Sequence, residues 1–448
     1  MENNLTSGNI LKNVITFSLP FLLSYFLQSL YGMADLFITG QFNSTDSITA
    51  VSIGSQVMHM LTVMIVGLAM GTTVNIGQAT GAGDNKKTSK IIGTTAVLFM
   101  AVAIFATVLM LFLVRPIVSL MSTPVEAVEG TVDYLTVCFI GIPFITAYNI
   151  ISSIFRGLGD SKSPMYFVAV ACVVNIILDY VFIGAMDLGP VGAALGTTIS
   201  QTVSVIISLI CIVKKKIFVS MSKESFSPKA GILKPILKVG IPIAFQDGLI
   251  QIAFMIITII ANQRGLDDAA AVGIVEKVIS FMFLVPSSML STVSALAAQN
   301  IGANKHNRAK ATLKYGVIIC VGFGLVVAIL IQFISEPVVM LFDNTPAVVT
   351  AGGQYLRGYI WDCVFAGVHF CFSGYFCAYG KSGISFFHNI MSIILVRVPG
   401  AYFMSSLFAD TLLPMGLAAA AGSLLSVIIC LIFYVNLSRN NKLFGERE

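Results

Sequence analysis

Gln28, Tyr31 and Asp35 stand at i, i+3 and i+7, which on a helix makes one polar stripe in an otherwise apolar run. Asn175 and Asp179 are four apart and share a face of another apolar stretch. If the two faces converge, two carboxylates with amide and phenol partners form either a small oxygen-lined cation site or a pair that shares one proton. Further on, Asp362 and His369 are seven apart and face the same way. Asp362 beside Trp361 suits a cationic aromatic ligand, through ion pairing and cation–π contact. Asp247 and Glu276 are further acids of this second set, and Arg397 is placed either in the same cavity or as the internal counter-charge of one of the three acids. Lys277 adjoins Glu276 and therefore points elsewhere on its helix. His59, His369 and His388 lie on different helices without metal-ligand spacing, so no metal is expected beyond a Na⁺ at Asp35 and Asp179.

These residues need elements to hold them, and the composition decides which. The chain has 448 residues, 56% of them hydrophobic and only 10% charged, where a soluble domain carries about 25% charged residues. Its mean hydropathy is +0.91. The reading is an all-α polytopic membrane protein. Runs of about 20 apolar residues, enough for one crossing each, have centres near 27, 60, 102, 145, 175, 202, 250, 283, 324, 367, 395 and 424. An acid or base in such a run costs at least about 2.5–3.5 kcal/mol, which makes each of the seven a functional candidate by default.

The chain is also a duplication. Slid along itself by 221 or 222 positions, Pro20 falls on Pro242, Gln78 on Gln299, Pro116 on Pro337, Tyr134 on Tyr355, Phe155 on Phe376 and Gly159 on Gly380. The expected organisation is a first lobe over residues 1–213, a basic link over 214–235 and a second lobe over 236–448, with six helices in each lobe. An even number of helices per copy places both copies the same way up, related by a pseudo-two-fold axis along the membrane normal, with the substrate path between them. None of the acids was copied: the scaffold is symmetric and its chemistry is not. Pro20 and Pro242 each sit in the opening helix of a lobe, upstream of Asp35 and Asp247, and are expected hinges.

Counting Lys and Arg by side gives 21 with the termini and the link against three, Arg115, Arg264 and Arg357, on the other. That bias places both termini in the cytoplasm and the protein in the cell membrane. Eight cysteines lie in or beside apolar stretches with no C-x-x-C pair, which reads as small hydrophobes rather than a disulfide frame. The first helix is its own insertion signal. Gly374 to Ser382 falls one residue off a phosphate-loop spacing, and no paired Asp-rich Mg²⁺ motif occurs, so no enzymatic site is expected.

An ordered set of motifs now carries a resemblance: Ser18-Leu19-Pro20, Met33-Ala34-Asp35-Leu36-Phe37-Ile38-Thr39-Gly40, Gly81-Ala82-Gly83-Asp84, Arg156-Gly157-Leu158-Gly159-Asp160, Asn175-Ile176-Ile177-Leu178-Asp179 and Val191-Gly192-Ala193-Ala194-Leu195-Gly196-Thr197. Together they resemble the multidrug and toxic compound extrusion (MATE) transporters. The resemblance implies a secondary active antiporter, without cofactor, that exports amphipathic organic cations in exchange for Na⁺ or H⁺ by alternating access. It implies coupling at Asp35, Asn175 and Asp179, while Asp362 and Asp247 resemble the acids of the family's helices 10 and 7. The expected partners are cationic drugs and the bilayer, with no nucleic acid, and the expected state is a monomer. The alternative is a lipid-linked oligosaccharide flippase of the same superfamily, which would favour basic groups facing the cavity.

Overall fold

The computed structural model describes residues 5–215 and 223–439. Lys216 of the basic link, and Lys442 and Arg447 near the C-terminus, lie outside the described residues. Every regular element among the described residues is helical. They run α1 (Ile10–Phe42), α2 (Thr45–Gly81), α3 (Asn85–Leu120), α4 (Val128–Ile140), α5 (Ile142–Gly157), α6 (Lys162–Asp179), α7 (Gly189–Lys214), α8 (Ala230–Asn262), α9 (Leu266–Met282), α10 (Leu284–Gly302), α11 (His306–Met340), α12 (Pro346–Tyr359), α13 (Asp362–Ala378), α14 (Ser382–Ser392), α15 (Val398–Leu407) and α16 (Leu413–Arg439).

Eleven helical stretches among the described residues are long and apolar enough to cross a membrane, and the pair α4–α5, bent by 49°, makes a twelfth. With no water in the hydrocarbon, each span satisfies its backbone internally, which is why apolar runs of this length can only be helices here. The protein is a multi-pass membrane protein.

The chain divides into two compact units. The first comprises Leu19–Gly240, and the second comprises Leu5–Ser18 with the chain from Ile241 onward. Within the first, α2 and α3 both pack on α4 and α5, and α4 packs on α7. The second repeats these pairings, with α9 on α12, α10 on α13, α11 on α12 and α13, and α12 on α16. The repeated Tyr and Leu sit in the same role in each: Tyr134 and Leu135 are buried in the core of the first unit, Tyr355 and Leu356 in that of the second.

Both division points fall just before the duplicated prolines. Residues 10–18 of α1 belong to the second unit, and Leu19 onward, one residue before Pro20, to the first. In the same way α8 passes from first to second at Gly240–Ile241, just before Pro242. Proline lacks the N–H that would bond the preceding turn, so each helix is weakest where it changes unit. Within the first unit the start of α8 lies against α2 at glycines: a Cβ on Gly71 would come 2.1 Å from the carbonyl oxygen of Ile236, and one on Gly240 2.3 Å from that of Leu68.

Candidate functional site

The first unit brings three helices to one polar centre. α1 supplies Asp35, α6 supplies Asn175 and Asp179, and α7 supplies Thr197. All three residues named from the sequence are buried, with Asp35 3%, Asn175 1% and Asp179 0% exposed. Thr197 donates its Oγ1 hydrogen to Oδ2 of Asp35 at 3.1 Å. Asn175 and Asp179 lie beside Asp35. Beyond what they offer one another, Oδ1 of Asp35, both carboxylate oxygens of Asp179 and both polar atoms of the Asn175 amide have no hydrogen-bond partner among the described residues.

Local structure explains how Asp179 reaches the centre. It is the last residue of α6 before a π-helical turn over Tyr180–Ala185, and such widened turns re-aim side chains within a helix. α7 gives way opposite it: a Cβ on Gly196 would meet Oδ1 of Asp179 at 2.1 Å. Tyr31 borders the centre, accepting a long 3.5 Å hydrogen bond from Nε2 of Gln201. Gln28, on the same stripe, is turned toward Tyr148 instead.

The ion pairs among the described residues include neither Asp35 nor Asp179. Buried polar atoms ordinarily find partners, and a buried charge finds a counter-charge or takes up a proton. Four orphaned oxygens, one from Asp35, two from Asp179 and one from Asn175, with the Thr197 hydroxyl beside them, are a donor set for a hard cation. The two carboxylates alone are equally a pair able to hold one proton. This geometry fits a bound hard cation or a shared proton.

The second unit spends its charges differently. Arg397 donates from Nη2 to Oδ2 of Asp362 at 2.6 Å and to Oγ of Ser423 at 3.1 Å. Asp362 is fully buried and Arg397 is 9% exposed, so these two charges neutralise one another. A π turn again marks the place: Arg397 ends the segment Ile393–Arg397, in the helix that repeats α6. Two of the residues placed in a substrate cavity are thus partners of each other. Trp361, at the start of α13, is partly buried and packs on the core of this unit.

Neither Glu276 nor Asp247 makes an ion pair among the described residues. Glu276 accepts from the Thr258 hydroxyl at 3.3 and 3.5 Å. Ser55 is its repeat equivalent, and Ser55 shares a 3.1 Å hydrogen bond with Tyr134, whose own equivalent is Tyr355. Duplication therefore left an acid where the first unit keeps a hydroxyl. Asp247 takes a 3.5 Å contact from Nε2 of Gln246, whose carbonyl accepts from Ser385 at 2.9 Å. His369 stacks edge-on against His388, with centroids 5.4 Å apart, and Nε2 of His388 lies 2.9 Å from Oγ of Ser373. No group of three or more His, Cys, Asp or Glu among the described residues could hold a metal. Lys277, the next residue along α9, is exposed, and its charge still acts on Glu276.

Sequence reasoning missed Gly196, Thr197 and Gln201 as parts of the first centre, and Thr258 and Ser423 in the second unit. The signal available was a run of small and hydroxyl residues in an apolar helix, where close approach and interhelical hydrogen bonds are made.

The MatE family model matches this chain twice, at residues 20–181 and again at 242–403. The chain belongs to the MatE family. The two matches begin 222 residues apart, as the internal duplication requires. Among curated relatives, the probable multidrug resistance protein YpnP of Bacillus subtilis (strain 168) is 30% identical over 445 residues, covering 99% of each chain. The multidrug export protein MepA of Staphylococcus aureus (strain bovine RF122 / ET3-1) is 27% identical over 429 residues, covering 95% of this chain and 94% of its own. An outward-facing MATE multidrug resistance transporter matches with a TM-score of 0.91 at 23% identity, over 98% of this chain and 99% of that one. A MATE protein in complex with MaL6 matches with the same score, identity and coverage. At that identity the solved structures speak for the fold alone.

Proposed function

We propose that this MatE protein is a multidrug exporter of the cell membrane, a secondary antiporter that exchanges amphipathic organic cations for Na⁺ or H⁺ with both termini in the cytoplasm. The observation that carries the reading is the contrast between the two units. Asp35 and Asp179 are buried carboxylates without a cationic side chain, while Asp362 has Arg397. An acid that the protein does not neutralise is available to a mobile cation, and one that it does neutralise is not. Coupling belongs to Asp35, Asn175 and Asp179, with Thr197 orienting Asp35. Glu276 and Asp247, the acids of the second unit that make no ion pair among the described residues, are the candidates for the charge of the organic cation. The relatives named as multidrug resistance and export proteins support export of drugs.

Alternating access then requires the coupling ion to bind the two conformations with different affinity, since equal affinity shifts nothing. α1 is the natural carrier, because it holds Asp35 in one unit, starts in the other and contains Pro20 between. A flippase for phosphate-linked lipids fits less well, since Arg397 is already committed to Asp362.

The test is drug transport in inverted vesicles energised by a Na⁺ or a proton gradient, comparing the parent with Asp35→Asn and Asp179→Asn. Gradient-driven transport is expected to be lost in both variants, and the effective gradient names the ion. Parent-like transport in both removes the coupling assignment and redirects it to Asp247 and Glu276.

A further inference from the structure

Before α1 begins, the chain lies as a short strap on the turn between α10 and α11, and four consecutive carbonyls are gripped there. Nδ2 of Asn300 donates to the carbonyl of Leu5 at 3.4 Å, and Nζ of Lys305 to that of Thr6 at 2.9 Å. The two terminal nitrogens of Arg308 donate to Ser7 and Gly8, each at 3.0 Å. Nε of Arg308 closes the set by donating to Oδ1 of Asn300 at 3.1 Å. Leu5 is 6% exposed. Gly8, at φ +74°, turns the strap, and Oδ1 of Asn9 then caps α1 by accepting from the amide of Lys12 at 3.0 Å.

Two of the three gripping residues are cationic donors, whose hydrogen bonds are roughly twice as strong as neutral ones. The grip is no part of the duplicated scaffold. The repeat equivalents of Asn300, Lys305 and Arg308 are Ala79, Asp84 and Lys87, a set that cannot make it. The helix it secures is the one that carries Asp35. At about 1.5 Å per residue, Asp35 lies about 38 Å along α1 from Ile10, beyond Pro20 and in the first unit.

We propose that Arg308, with Asn300 and Lys305, is a positioning group for α1, and through α1 for Asp35. The idea rests on the coupling role given to Asp35 above. With the strap held, α1 keeps a fixed start in the second unit, so that ion binding at Asp35 and any bend at Pro20 are transmitted along a helix anchored at one end. With the strap loose, the start of α1 is free to move and the energy of ion binding is no longer delivered to the second unit.

Ethidium transport in inverted vesicles tests this when measured against increasing Na⁺ and, separately, across a pH series. Arg308→Ala is expected to raise the concentration of the driving cation at half-maximal transport at least five-fold. Arg308→Lys, which keeps the charge but lacks the planar fork that reaches Ser7, Gly8 and Asn300 together, recovers part of the difference. Lys87→Ala, at the repeat-equivalent position, matches the parent. A half-saturation in Arg308→Ala equal to the parent's overturns the proposal, whatever the maximal rate. Asp35→Asn in the same vesicles separates the two ideas: parent-like transport there removes the coupling reading, whereas loss there with an unshifted Arg308→Ala removes the strap alone. If Arg308→Ala does not reach the membrane, Asn300→Ala, which deletes the Leu5 contact and the Arg308 acceptor, is judged by the same criterion.

Discussion

Gly196→Ala separates the chemistry of the first centre from its fold. The added Cβ would sit 2.1 Å from Oδ1 of Asp179, where ordinary contact begins at 3.4 Å, so that oxygen must retreat by about 1.3 Å. The atom in the way is the end of a side chain and not backbone, so rotation of Asp179 relieves the clash while taking its carboxylate off the centre. Displacements of about 1 Å at a reacting group cost on the order of 100-fold, and a loss of that size is expected in ion-coupled transport. The fold should not suffer, because Ala in a helix interior is favoured over Gly by about 0.5–1 kcal/mol. Vesicle transport and thermal unfolding in detergent, measured on the same preparation, make the test. Parent-like transport with parent-like half-saturation would refute the placement of Asp179. A lowered melting temperature together with lost transport would refute the claim that the site, and not the helix packing, needs the glycine.

Two further outcomes follow from the other charges. Removing Arg397 strands the fully buried Asp362, and breaking a buried pair from one side costs about 3–5 kcal/mol. Arg397→Ala should therefore melt well below the parent and Asp362→Asn with Arg397→Gln close to it, while a parent-like Arg397→Ala would mean that the pair is not what neutralises Asp362. Asp160, in the turn between α5 and α6, titrates in the opposite sense to a simply buried acid. Burial alone would raise its pKa, but the Lys215 ammonium and the hydrogen bonds from Ser163 outweigh it and hold the carboxyl below its ordinary value. A group with a depressed folded pKa stabilises above its unfolded pKa of about 3.9 and loses that contribution as pH falls through the folded value. Thermal midpoints taken from pH 6 to 3 should fall below about pH 4 in the parent and less steeply in Asp160→Asn; identical slopes would show that ionised Asp160 does not stabilise the fold.

Much of the molecule is legible along the chain because membrane insertion is a one-dimensional constraint. Length and apolarity of each run place the twelve spans, and the constant offset of Pro, Gly and Tyr exposes the duplication that the twofold family match repeats. Periodicity also tells which residues share a face, and so pairs Asn175 with Asp179 and Tyr31 with Asp35. It is silent on which faces meet. Gln28 is on the Asp35 stripe yet lies at Tyr148, while Thr197 and Gly196 reach the centre from a helix with no acid to advertise it.

Which intramembrane acids remain available is a matter of packing. Along the chain Asp35, Asp179, Asp247, Glu276 and Asp362 are each an acid in an apolar run, and the sequence leaves open which of the second-half acids Arg397 neutralises. Among these acids, helix packing delivers a guanidinium to Asp362, a hydroxyl to Asp35 and to Glu276, and to Asp179 only the neighbouring Asp35 and Asn175. The strap belongs to the same class, because its donors lie some 300 residues from the carbonyls they hold. Sequence by itself determined the helices, their number and the candidate charges, since desolvation acts on each segment separately. Only the tertiary structure decided which charges are neutralised, since an ion pair requires two helices to present their atoms to each other within a few ångströms.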